Sequence, residues 1–267
     1  MAIDTVIGYS CIPKQTLNSE GILERLKARD RARTVIELYR EGGDERHPSL
    51  MEFEFTRINS EGDEEHRIVN VQEMLNHGAE LDPLAHHCAG CPANVSGHPF
   101  GCFGVIQYPI SARAERWLLD RLPGIDEPLI WLLLRQGVQD LGYNGDLIGP
   151  LRQQKDYFEE KRLPGRDLVE FVISGDQVFE MLFLVGAIQP AHAGMLLLFF
   201  NAIPRAIEAD HIVHILNRDL TAEQIAAEFP FQLHAADDDD ITIYELKLFF
   251  KALHTAWTLN VVVGLDV

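Results

Sequence analysis

The sequence predicts an α/β (α+β) fold, with a mixed or antiparallel sheet and helices in the first half and a helix-rich second half. Three observations carry that expectation. MEFEFTRI, Met51 to Ile58, alternates apolar and polar residues as a half-buried strand does, and HRIVNV follows the turn SEGDEE as its hairpin partner. Apolar faces recur at helical spacing in the long segment TLNSEGILERLKARDRARTVIELYR. Beyond PGIDEP, Pro123 to Pro128, the pattern is mainly helical.

Taken in order, TVIGYSCI reads as a first strand, and the long helix after it stops at Gly42 and Gly43. VQEMLNHG is a short helix closed by Gly78, and Asp82 with Pro83 starts a helical turn leading into His86, His87 and Cys88. GVIQYPI is another strand, and Ser111 caps the amphipathic helix ARAERWLLDRL. LIWLLLRQGVQDLGY and GRDLVEFVISGDQVFEMLFLVGAI supply core residues. Thr221 and Gln224 form a capping box for TAEQIAAEF, Asp240 or Thr242 caps ITIYELKLFFKALHTAWTL, and VVVGLDV closes the chain as a strand. PGIDEP is the expected boundary between an α/β domain at 1–124, which carries the Cys/His loop, and a mainly helical acidic domain at 125–267, the two being either separate domains or packed as one unit.

Composition narrows the functional classes. The 267 residues are 46% apolar, enough for one large domain or two ordinary ones with a real core. The net charge of -18 excludes a broad nucleic-acid or anionic-membrane surface and favours solubility and cationic partners, a protein partner among them. The acidity is uneven: -6 through Gly124 and -12 after it. Lys27, Arg29, Arg31 and Arg33 are the main exception, read as a solvated helix face or as a local anion or partner site. The N-terminus has neither a basic n-region nor a long apolar h-region, so a cytoplasmic protein is expected. Met181 to Ile203 carries no Asp, Glu, Lys or Arg, but Gln189, Pro190 and His192 at its middle mark two buried elements broken at QPAHAG. His192 reads as a hydrogen-bonded core histidine.

Chemistry concentrates in His86 to Gly104, HHCAGCPANVSGHPFGCFG, which holds three of the four cysteines and three of the eleven histidines. Cys88 and Cys91 form a C-x2-C pair, whose two intervening residues let both thiolates approach one cation. Cys102 is the third ligand and His98 the fourth, with His87, His86 or Cys11 as replacements for His98. The order is similar to a zinc knuckle, though its longer gaps depart from the knuckle spacing. Zinc suits mixed thiolate and imidazole ligands; an iron-sulfur cluster is the alternative. Neither the deaminase pattern nor HExxH is present, so a closed structural ion is expected, in a regulatory or protein-interaction component. Two other readings stand beside it. One is a metal-dependent enzyme with an open Cys-ligated position, helped by Glu73, Glu80 or Asp82. The other is a redox sensor, either an iron-sulfur cluster on the three clustered cysteines and the distant one or a thiol-disulfide pair of Cys88 and Cys91. A second cluster, Glu208, Asp210, His211 and His214, shares a helix face and reads as solvent-exposed. GxGxxG, Walker A and GxSxG motifs are absent, leaving nucleotide binding and serine hydrolysis without a positive signal.

Overall fold

The computed structural model describes residues 2–58, 64–162 and 165–266. Its elements run β1 (Ala2–Ile7), α1 (Ile12–Glu41), β2 (Glu52–Ile58), β3 (Glu64–Asn70), α2 (Val71–Ala79), β4 (Phe103–Gln107), α3 (Ala112–Asp120), α4 (Pro128–Asp140) and α5 (Gly149–Arg152). They continue with β5 (Arg166–Asp167), β6 (Val172–Ile173), α6 (Gly175–Phe183), β7 (Ala187–Ile188), α7 (Pro190–Phe199), α8 (Ala209–Asn217), α9 (Ala222–Glu228), α10 (Ile241–Thr258) and β8 (Val263–Asp266). Short 3-10 helices cover Pro48–Leu50 and Asp82–Cys88. The fold is mixed α+β, with antiparallel strand pairing in its sheets and helices in both halves. Most of the turn SEGDEE, residues 60–63, lies outside the described residues.

The chain folds as two units, one of residues 1–9 and 92–267, the other of 10–91. Pro123 to Pro128, the sequence's candidate boundary, lies inside the first unit. Arg205 fastens it there, pairing with Glu127 at 2.7 Å and donating to the carbonyls of Leu198, Phe199 and Arg121.

In the first unit, β1 enters a four-stranded sheet of order β4-β1-β8-β7, with Thr5 opposite Gly104 and Ile7 opposite Val263. Ile3, Asp4, Thr5 and Ile7 are all buried, so β1 is covered on both faces. The apolar stretch Met181 to Ile203 is broken into two helices, but upstream of the expected place: α6 ends at Phe183, β7 intervenes and α7 begins at Pro190, so all of QPAHAG after Gln189 lies within α7. Among the described residues, no helix is long and apolar enough to cross a membrane. Burial holds the His192 imidazole below its usual range. The core carries a row of rings, Phe158, Phe179, Phe183, Phe249, Phe250 and Phe200, with successive centroids 5.1 to 5.7 Å apart. Local caps match the sequence reading. Ser111 Oγ accepts the Ala114 N–H, Asp240 Oδ1 accepts the Ile243 N–H, and Thr221 and Gln224 bond reciprocally.

In the second unit, α1 begins four residues before Thr16, where the sequence reading starts it, because Ile12 to Leu17 forms an extra turn before a break. Asn18, at φ 53°, interrupts the helix and its Oδ1 caps the Gly21 N–H at 2.7 Å. Gly78 lies inside α2 rather than after it. A β-carbon there would come within 2.9 Å of Arg29 Cβ, so glycine permits the close packing of α2 on α1. Ala32, Val35, Met51, Val71 and Met74 form the core of this unit.

Candidate functional site

The ligand set expected from the sequence is divided between the two units. Cys88 and Cys91 belong to the second unit, while His98 and Cys102 belong to the first. Ala89 (φ -66°, ψ 123°) and Gly90 (φ 72°) form a type II turn, closed by the Cys91 N–H donating to the Cys88 carbonyl at 3.3 Å. This turn holds the two cysteines at its ends. Cys88 and Cys102 are buried, Cys11 and Cys91 partly so, and His98 is exposed. The rings of His86 and His87 lie with centroids 3.8 Å apart, tilted by 41°. Among the described residues, no group of three or more His, Cys, Asp or Glu side chains is placed to hold a metal ion.

In the second sequence cluster each histidine faces an acid, Asp219 or Glu228. His214 Nδ1 lies 2.9 Å from Asp219 Oδ1, and His211 Nε2 lies 3.9 Å from Glu228 Oε2, around a shallow cavity of about 320 Å³. His211 Nδ1 accepts the Glu208 N–H at 3.0 Å, which commits that nitrogen to the start of α8.

The half of the Cys/His stretch in the first unit builds a different site. Residues 92–102 fold back on themselves: the Val95 N–H donates to the Gly101 carbonyl, the Gly101 N–H to His98, and Asn94 Oδ1 accepts the Gly97 N–H. Lys251 Nζ, on α10, anchors the loop through the Val95 carbonyl at 2.9 Å. The loop, β4 and α10 enclose a cavity of about 210 Å³. On α10, Ile241, Tyr244, Glu245, Leu248, Phe249 and Ala252 line it, spaced as one helix face requires. Val95, Cys102, Phe103 and Ile106 supply the facing apolar wall.

Two glycines make room for this wall. A β-carbon at Gly104 would stand 2.7 Å from Thr5 Oγ1, its neighbour across the sheet, and one at Gly101 would stand 2.1 Å from Asn94 Oδ1. Gly104 therefore lets Thr5 reach the cavity lining, where its hydroxyl is one of the few polar groups.

Ser96 and Tyr244 are others, and Glu245 is the only carboxylate in the lining among the described residues. It is 6% exposed, and its Oε2 accepts the Gln107 N–H at 2.8 Å. Among the described residues that is its one hydrogen bond. Burial pushes the carboxyl up to about 7, with the Gln107 N–H acting against the rise by favouring the charged form. A carboxyl that changes charge near neutrality in an apolar cavity can take a hydrogen bond from a ligand donor, pair with a cation or exchange a proton. Sequence reasoning missed it, although a signal was present: a lone acid within the apolar face Ile241, Leu248, Phe249, Ala252 of the last helix. Comparisons of the chain with protein-family models, curated proteins and solved structures find no match.

Proposed function

We propose that the first unit binds a small molecule between β4 and α10, with an apolar body against Val95, Phe103, Leu248 and Phe249 and an amine or other donor directed at Glu245. The observation that carries this reading is a buried carboxyl whose one hydrogen bond among the described residues leaves acceptor capacity in a mainly apolar cavity. Size supports it as well. A cavity of roughly 150 Å³ suffices for benzene, and this one measures about 210 Å³. Benzylamine, a ring bearing an ammonium group, is the probe that fits both features. Its titration should shift the backbone amide signals of Gly104 to Gln107 and Tyr244 to Phe249. Unmoved signals there, or the same shifts and affinity in Glu245→Gln, would contradict the proposal.

A second reading keeps the zinc expectation, in a regulatory or protein-interaction component with a basic partner for its acidic surface. It is supported by the type II turn that sets Cys88 and Cys91 at its two ends, a geometry suited to two thiolates on one ion. Metal analysis of the purified chain tests it. Near-stoichiometric zinc supports a structural ion, and iron with a brown colour supports the iron-sulfur alternative. Protein free of both metals would remove the reading.

A further inference from the structure

Strand β4 ends its sheet, and its pairing shows which of its main-chain groups face outward. The Ile7 N–H donates to the Cys102 carbonyl at 3.0 Å, and these two residues continue the register of β1 with β4. Hydrogen-bonded pairs alternate with non-bonded ones along an antiparallel ladder. Thr5 with Gly104 and Ile3 with Ile106 are therefore bonded pairs, while Phe103, Val105 and Gln107 turn their N–H and C=O groups away from β1. Two of these three N–H groups are engaged: Phe103 donates to the Phe100 carbonyl at 3.0 Å, and Gln107 to Glu245 at 2.8 Å. Val105 stands between them, and among the described residues its N–H and C=O take no hydrogen bond. It lines the same cavity as Glu245.

A donor and an acceptor left open on one edge residue are a template for a further strand, and a single antiparallel partner residue fills both. Glu245 sets where such a strand begins. Its carboxylate already holds the Gln107 N–H, the place where the partner's next carbonyl would bond. A positive group suits that place, and the amino terminus of a peptide supplies one. A chain that starts at Glu245 and passes Val105 runs antiparallel to β4, because Gln107 is the last residue of the strand. Its first and third residues lie opposite Gln107 and Val105, roughly 7 Å apart. The net charge of -18 favours the same cationic end.

We infer that the Glu245 pocket receives the amino terminus of an extended peptide. The ammonium group meets the Glu245 carboxylate, an aromatic first side chain fills the apolar cavity, and the third residue pairs with Val105. This rests on the ligand site proposed above and names the class of its ligand. Titration of the intact chain with the tripeptide amide Phe-Ala-Ala-NH2 tests it, with benzylamine as the ligand that lacks a strand. The peptide should bind roughly tenfold more tightly than benzylamine and slow hydrogen exchange at the Val105 amide, which benzylamine should not. Acetylating the peptide removes its ammonium group, and N-methylating its third residue removes the donor to the Val105 carbonyl. Each change should weaken binding by roughly fivefold or more. A peptide that binds no better than benzylamine, full affinity after N-methylation, or unaltered exchange at Val105 would overturn the inference while benzylamine binding leaves the pocket standing. Full affinity of the acetylated peptide would also overturn it, in favour of an internal segment. Failure of benzylamine and peptide alike would remove the pocket and the inference together.

Discussion

Glu245 on α10 accepts the main-chain N–H of Gln107 on β4 at 2.8 Å, a bond between residues 138 positions apart that ties the last helix to an edge strand of the sheet. It satisfies a backbone donor that would otherwise lack a strand partner, at the expense of burying a carboxyl. That cost depends on pH. The folded-state value near 7 lies above the ordinary carboxylate value of 4.5, so the folded chain holds a proton that the unfolded chain releases between these limits. Stability attributable to this group therefore falls as pH rises from the lower value to the upper one and is level above it. Glu245→Gln keeps an oxygen acceptor and removes the charge. Its stability relative to wild type should rise by roughly 3 kcal/mol across that window. Urea unfolding of both proteins at the two ends of the range checks it, and a constant difference would count against a raised carboxyl.

The ion network behind α6 should respond in the opposite sense to mutation. Glu115, with its side chain fully buried, pairs with Arg152 through both oxygens, at 3.0 and 2.5 Å, and Arg152 also bonds to Asp176. Arg152→Met leaves Glu115 charged and unpaired and should cost about 3 to 5 kcal/mol. Adding Glu115→Leu should recover most of that loss, because the uncompensated charge, not the missing attraction, is the larger part of the penalty. Denaturant midpoints of the single and double variants provide the measurement.

Gly104 offers a steric test of the pocket. In Gly104→Ala the new methyl meets Thr5 Oγ1, and the strands must separate or the threonine must turn. A loss of about 1 to 3 kcal/mol is expected, together with loss of the benzylamine-induced shifts. Thr5→Ala in the same chain removes the opposing oxygen and should restore much of the stability. No recovery would show that the contact at Thr5 is not the limiting one.

Much of the local structure was legible in the sequence, because its signals are local. The caps at Ser111, Thr221 and Asp240, the β2–β3 hairpin and the presence of a break before Pro190 each depend on residues within a few positions of one another. The sheet order was not legible, since pairing Thr5 with Gly104 and Ile7 with Val263 depends on surfaces formed only by the folded chain. That pairing draws Phe103 to Gln107 into the first unit, while residues 10–91 build their own core. It is why a continuous Cys/His stretch is shared between two units. The candidate site was legible only in part. Cys102 was singled out as a ligand and lines the Glu245 cavity, whereas Glu245 was hidden as one acid in a helix read only for its N-cap.

The measurement that tests the central claim most directly is the pH dependence of benzylamine affinity. If the ammonium group pairs with the Glu245 carboxylate, raising the pH from about 6 to about 8.5 ionises the carboxyl and should tighten binding by roughly tenfold. Glu245→Gln should bind more weakly and show no such dependence. The same affinity at both pH values in wild type, or the same dependence in the variant, would contradict a ligand site organised by Glu245.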